Sequence, residues 1–418
     1  MTEETGATIV TPLGPFMRKI DLSNFQIATS GTAREVNRRI VLNLIRAHTA
    51  ISRADLARKT GLQRSTVSLI IEQLMTEDWV VEGMVGYSPR GRKPTYLRLN
   101  TERLGVIGVN LRPYSTTIAL ADLNANFRAQ ESIATPPSPE LFLQEATRRI
   151  NNLRQSHAEL TCEGIGVCLP GRVDLATQRL VFAPNLGWED TDLKTPLEAA
   201  TGLPVALENA ANACALAEIW FGQWEGLRDL AIVTVSEGIG TGFVLNGHLV
   251  TGPSGRAGEF GHVTIDPNGP LCKCGNRGCW EVFASNTATT EYYREIMPSN
   301  RGRSRSTAGA PEPTFDDVLH LAELGDPCAT EALDRMGRYL GVGVAMLATG
   351  LEPSLVVLVG EVTRAWSRIG PIIKRTMAES CPLKDATRVV AADDALQPRL
   401  RGTVALIIQK HFGAPAVA

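Results

Sequence analysis

The sequence predicts an α/β protein that opens with a winged helix-turn-helix, and three observations carry the prediction. Two apolar stripes at helical spacing flank a turn at Gly61, and the second stripe leads with short polar side chains. A hairpin-like stretch follows, and its tip is largely basic. From Leu104 onward, strand-like runs alternate with helical segments, as in a layered α/β domain.

The chain has 418 residues, 44% of them hydrophobic, with a formal net charge of −2, enough for two or three domains with sizeable cores. No run is apolar enough to span a membrane, and the N-terminus lacks the blocks of an export signal, so a cytoplasmic protein is expected. The near-neutral total hides an asymmetry. Residues 34–98 carry 12 Lys/Arg against 6 Asp/Glu, a local +6 that leaves about −8 elsewhere.

Residues 1–33 mix Thr, Gly, Pro and Ser without periodicity and read as a mobile arm. Residues 34–100 are assigned to the DNA-binding domain. Val36, Ile40, Val41, Leu44 and Ile45 recur at three-and-four spacing, which makes one apolar helical face. Ser52 and Asp55 form a capping box for a short helix through Lys59, and Gly61 supplies the turn. Val67, Ile70, Ile71 and Leu74 make the next stripe, while Gln63, Arg64, Ser65, Thr66 and Ser68 project from its leading end toward base edges and phosphates. Helical packing with a merely solvated polar face would give the same pattern. The hairpin of Trp79–Glu82 and Thr95–Leu99 favours DNA, because Arg90, Arg92 and Lys93 at its tip are hard to justify as packing.

Residues 101–418 form the second domain. Strands are expected over Leu104–Val109, Thr116–Ala121, Gly164–Leu169, Leu230–Val235 and Leu355–Val359. Helices are expected from Glu140 to Ser156, from Glu281 to about Met297, over Asp316–Leu324 and Pro327–Ala348, and from Thr403 to Phe412. Residues 299–313 are low-complexity and basic, an exposed loop. Cys162, Cys168, Cys214, Cys328 and Cys381 lie in apolar surroundings without a pairing pattern and read as reduced thiols.

The densest chemistry lies in residues 259–281. His262, Cys272, Cys274 and Cys279 offer one imidazole and three thiolates, a complete tetrahedral set for structural zinc. Plain reduced thiols and a packed histidine are the alternatives. A Glu lies on either side, at 259 and 281.

This stretch fills every position of E-x-G-H, a spacer and C-x-C-G-x-x-G-C-x-E, and so resembles the signature of the ROK family of sugar kinases and transcriptional repressors. The resemblance runs from about Arg34 to the C-terminus and includes a G-R-K-P wing. It implies a two-lobed actin-like ATPase (ribonuclease H-like) domain with a sugar between the lobes. It also implies that Asn185, Asn209, Glu259, His262 and Glu281 hold sugar hydroxyls.

Three departures from the kinase pattern set this chain apart. The D-x-G-G-T run is Asn110-Leu111-Arg112-Pro113-Tyr114, which removes the carboxylate and both glycines. In E-N-D-A-N-A the general base is replaced by Ala210, whose methyl group cannot accept a proton. The second glycine-rich turn, Ser236–Gly242, carries Glu237, whose charge would repel phosphate oxygens. The strand Leu355–Val359 closes with Gly360-Glu361, where the resemblance implies a Gly pair near adenine in the kinases. The expectation is a sugar-responsive regulator, a repressor of carbohydrate genes that binds operator DNA as a homodimer or homotetramer and is not an enzyme. An active kinase carrying a DNA-binding head is the alternative.

Overall fold

A computed structural model describes residues 30–48, 50–86, 93–222, 227–253, 255–297, 313–381 and 387–413. The chain divides into two compact units, one running to Arg98 together with His411 onward, the other spanning Leu99–Lys410. The wing-tip residues Arg90 and Arg92, positions 1–29 of the expected arm and 299–312 of the expected loop lie outside the described residues.

The first unit contains α1 (Ser30–Ala47), β1 (Ile51–Ser52), α2 (Arg53–Thr60), α3 (Arg64–Thr76), β2 (Val80–Val85) and β3 (Thr95–Leu99). The strands pair in the order β1-β3-β2, so the flanks of the expected wing are a true ribbon. Its capping box forms as read: Ser52 Oγ accepts from Asp55 N at 3.3 Å, and Asp55 Oδ2 accepts from Ser52 N at 3.0 Å. Gly61 ends α2 at φ 71°, a left-handed turn that suits a residue without Cβ. The apolar face of α1 is out of phase with its sequence reading. Ile40 is 45% exposed, whereas Leu42 is fully buried beside Val41 and Ile45. A run of adjacent aliphatics allows either phase, and packing chooses. The helix also starts at Ser30, inside the expected arm.

The second unit has two lobes with the same strand plan. The first holds β4 (Leu104–Leu111), β5 (Ser115–Asp122), β6 (Phe127–Ala134), α4 (Pro139–Ser156), β7 (Thr161–Leu169), β8 (Arg172–Asp174), β9 (Arg179–Ala183), β10 (Trp188–Thr191), α5 (Lys194–Thr201), β11 (Val205–Asn209) and α6 (Ala210–Phe221). The second continues with β12 (Leu230–Val235), β13 (Ile239–Leu245), β14 (His248–Leu249), α7 (Glu281–Ala284), α8 (Asn286–Ile296), α9 (Phe315–Glu323), α10 (Pro327–Leu351), β15 (Leu355–Val359), α11 (Trp366–Ser380) and β16 (Arg388–Ala391), and α12 (Pro398–Phe412) then returns to the first lobe, where Thr403 and Ile407 pack on Gly108, Gly164 and Gly166 of β4 and β7.

The sheets run β11-β7-β4-β5-β6 and β14-β13-β12-β15-β16. In each, a meander of antiparallel strands is extended by two parallel strands, joined through β4–β7 and β12–β15. Each lobe has its own apolar core, with Phe142 and Ile165 in the first and Met336 and Val356 in the second. The expected helix from Glu281 to Met297 is broken at Ser285, whose hydroxyl accepts from Ala288 N at 3.2 Å and starts a new helix. The last helix begins at Pro398, before Thr403, because proline is compatible with a first helical turn.

Burial pushes the thiols of Cys168 and Cys214 up, the latter to about 12, so both are held as unreactive thiols. Among the described residues every cysteine is free, and no helix is long and apolar enough to cross a membrane.

One contact anchors the end of the cysteine-rich loop. Trp280 is fully buried, donates from Nε1 to Tyr339 O at 2.8 Å, and lies where a Cβ on Gly343 would overlap its ring. Gly343→Ala is therefore expected to destabilise the chain by about 1–3 kcal/mol. A denaturation midpoint equal to that of the wild type would contradict this packing.

Candidate functional site

The cysteine-rich loop brings its four donors together. One ligand atom each from His262, Cys272, Cys274 and Cys279 lies within 4.8 Å of the others, a set that could hold a metal ion. His262 Nδ1 is 3.7 Å from Cys272 Sγ, and Cys274 and Cys279 Sγ are 3.6 Å apart. Burial pushes the Cys279 thiol up to about 11 and raises Cys272 as well, so a nearby cation is what would ionise them. Gly275 and Gly278 turn the loop at φ 96° and 62°. The other imidazole nitrogen of His262, Nε2, faces Glu259 Oε2 at 3.8 Å.

Between the lobes lies a cleft with about 1020 Å³ of space free of atoms, part of it open to solvent. Asn185, Asn209, Ala210, Glu259, His262 and Glu281 all line it. Glu281 Oε2 accepts from Ile239 N at 2.9 Å, and Lys273 of the cysteine-rich loop reaches Asn185 Oδ1 at 2.9 Å. Asn209 is less free than its sequence reading implies. Its Oδ1 caps α6 by accepting from Ala211 N at 2.8 Å, and its Nδ2 donates to Gly171 O at 2.7 Å. One amide hydrogen and one lone pair remain for a ligand.

Sequence reasoning missed three groups in the same cleft. Glu208 is 5% exposed, burial pushes its carboxyl up, and its Oε1 accepts from Asn209 N and Asn212 Nδ2. Asn212 Oδ1 and Arg172 Nε are buried without a hydrogen-bond partner among the described residues. The only signal for Asn212 and Arg172 was adjacency to motif positions.

The opposite end of the cleft corrects the view of Glu237. Its carboxylate is not free to face a phosphate, because Arg112 engages it at 3.1 Å and engages Glu361 at 2.5 Å. Burial opposes charge on Arg112, yet the two carboxylates raise its pKa above the ordinary value. Burial likewise opposes charge on Glu361, and Arg112 with Arg399 outweighs it to hold the carboxyl low.

In the first unit, Gln63, Arg64, Ser65 and Lys93 are exposed, and Thr66 and Ser68 are partly so. Leu69, 67% exposed and one turn beyond Ser65, shares that face, an aliphatic group able to meet a thymine methyl.

Comparison with known proteins follows this geometry. The ROK family profile matches residues 106–410. The xylose repressor of Bacillus subtilis is 35% identical over 337 residues, covering 79% of this chain and 84% of that protein. The DNA-binding transcriptional dual regulator NagC of Escherichia coli is 29% identical over 361 residues, covering 85% and 86%. Among solved structures, a ROK family transcriptional regulator described as a homolog of the E. coli MLC protein superposes with TM-score 0.77 at 26% identity, covering 91% of this chain and 98% of that one. A ROK glucokinase from Streptomyces griseus, in complex with glucose and AMPPNP, matches with TM-score 0.65 at 28% identity over 72% of this chain and 98% of the kinase.

The buried Glu208 yields a prediction with a definite sign. A carboxyl raised on folding binds its proton more tightly in the native state, so its contribution to stability fades as pH rises from the unfolded value through the folded one. Glu208→Gln keeps both accepted hydrogen bonds on one oxygen and should flatten the stability-versus-pH curve above the ordinary carboxyl range. A steeper fall for the variant at alkaline pH would contradict the assignment.

Proposed function

The chain belongs to the ROK family, and from that premise we propose that it is a sugar-responsive transcriptional repressor whose effector is a neutral pentose, D-xylose, and which has lost phosphotransfer. The observation that carries the reading is Ala210. A methyl group lines the cleft at the first turn of α6, where a kinase needs a carboxylate to take the proton of the 6-hydroxyl. A pentopyranose has no 6-hydroxyl and loses nothing there. The name of the B. subtilis relative, a xylose repressor, agrees with this choice.

Glu259, His262 and Glu281 would accept and donate to sugar hydroxyls from one wall of the cleft, with Asn185 and the remaining capacity of Asn209 opposite. Paired carboxylates and an imidazole suit neutral polyols, because charged acceptors make the stronger hydrogen bonds. A second reading, a phosphorylated hexose such as N-acetylglucosamine 6-phosphate, draws support from the uncommitted Nε of Arg172. Calorimetry with both ligands separates the two.

Zinc fits the donor set best. Three thiolates select a soft or borderline ion, and a tetrahedral site with Zn–S bonds of ~2.3 Å places its sulfurs ~3.8 Å apart. The Cys274–Cys279 separation of 3.6 Å is close to that. All four positions are filled by protein, so the ion would be structural. His262 Nδ1 would bind it while Nε2 faces Glu259, an arrangement that orients both rings and carboxylates. Chelation is expected to weaken sugar binding before it affects DNA contact, and elemental analysis should find one zinc per chain.

The DNA reading rests on Gln63, Arg64, Ser65, Thr66 and Ser68 at the leading end of α3, with Lys93, Arg90 and Arg92 in the wing. Family repressors bind paired half-sites, and we infer a dimer or tetramer acting on operator DNA. Sugar can shift the equilibrium only through differential affinity for the DNA-competent and released states.

In fluorescence anisotropy with an operator duplex obtained by in vitro selection, D-xylose is expected to release the DNA. Glu281→Gln should need about 10–100-fold more sugar for half-release, as befits one lost charged hydrogen bond. Arg64→Ala and Lys93→Ala should each weaken DNA binding and reduce its salt dependence. Sugar-independent DNA binding by the wild type would overturn the regulatory reading.

A further inference from the structure

Three substitutions that lie far apart in the chain meet at one point in the cleft. Arg112 stands in the run that resembles D-x-G-G-T, Glu237 in the second glycine-rich turn, and Glu361 where a Gly pair is expected. In space, Arg112 Nη2 binds Glu237 Oε1 at 3.1 Å and Arg112 Nη1 binds Glu361 Oε1 at 2.5 Å. The second oxygen of Glu361 accepts from Asn286 Nδ2 at 3.3 Å. All three charged side chains are nearly four-fifths buried, at 23%, 21% and 21% exposure.

The topology gives this cluster its meaning. Arg112 follows β4, in the sheet of the first lobe, while Glu237 follows β12 and Glu361 follows β15, adjacent strands of the second lobe's sheet. The guanidinium therefore crosses the cleft, one fork to each carboxylate. Such a cluster is complete only while the lobes are close, since separating them breaks both ion pairs of Arg112.

We propose that Arg112 is a positioning residue that ties the two lobes across the end of the cleft formed by the turns after β4, β12 and β15, away from the cysteine-rich loop. The sugar site is thereby completed without a second ligand. A nucleoside triphosphate is disfavoured by the same arrangement, because its phosphates would have to break both ion pairs of Arg112 and would then face the two carboxylates so freed. The sugar half of the inference rests on the functional reading above; the tie itself does not.

The test uses the full chain. Hydrogen exchange of the sugar-free protein reads turns 110–116 and 236–240, and calorimetry with D-xylose reads affinity. Arg112→Gln should speed exchange at both turns, leave the central strands β7 and β15 protected, and weaken D-xylose binding about tenfold or more. Arg112→Lys, which keeps the charge and loses the fork, should fall between Arg112→Gln and the wild type. The pair Glu237→Gln with Glu361→Gln should match Arg112→Gln, and combining all three should add little, the mark of one shared interaction. Arg149→Gln breaks ion pairs to Glu131 and Glu145 within the first lobe alone and should change neither readout. Exchange and affinity of Arg112→Gln within twofold of the wild type would overturn the proposal, as would faster exchange spread evenly through both sheets. If wild-type protein binds no D-xylose, the effector assignment fails, while the exchange data still decide the tie.

Discussion

Two sheets of the same plan present the ends of their parallel strands to one cleft, and one wall of its polar side chains hangs from those ends. Asn110 and Arg112 close β4, Arg172 follows β7, Asn209 closes β11, Glu237 follows β12, and Glu361 follows β15. Strand interiors are apolar and packed, as in the all-buried pattern of β15, so they tolerate little. The turns beyond them are free to vary. Chemistry on such a scaffold changes by exchanging a few turn residues, without cost to the architecture.

The cysteine-rich loop supplies the other wall of the cleft, and His262, one of the four donors that could hold a metal ion, lines that wall with Glu259 and Glu281. Glu259 and Glu281 bracket the donors, His262 touches Glu259 through the nitrogen that Cys272 does not face, and Trp280 roots the loop in the second core. The loop also reaches across the cleft, since Lys273 contacts Asn185. The two ends of the cleft thus each carry a bridge between lobes, one neutral at its acceptor and one fully ionic.

Local signals were the legible ones. The Ser52–Asp55 box, the Gly61 turn and the spacing of Cys272, Cys274 and Cys279 are encoded within a few residues, and each forms as read. Features decided by packing were not. The phase of α1 about Ile40, the break at Ser285 and the early start of α12 depend on neighbours that no short window contains. The capping role of Asn209 was hidden because the same amide serves equally as a cap or as a ligand. The Arg112 cluster was the least legible: its members are separated by 125 and 249 residues, and each looked like an independent loss. Only the closure of two sheets on one cleft brings Arg112, Glu237 and Glu361 together.

The central claim is that this cleft holds a sugar and does nothing to it. A coupled ADP-release assay with MgATP, run on a sample whose D-xylose binding has been established by calorimetry, tests it most directly. The account predicts heat of binding and no ADP above the no-protein background, for D-xylose and for a hexose panel alike. ADP release that depends on both sugar and protein would contradict it.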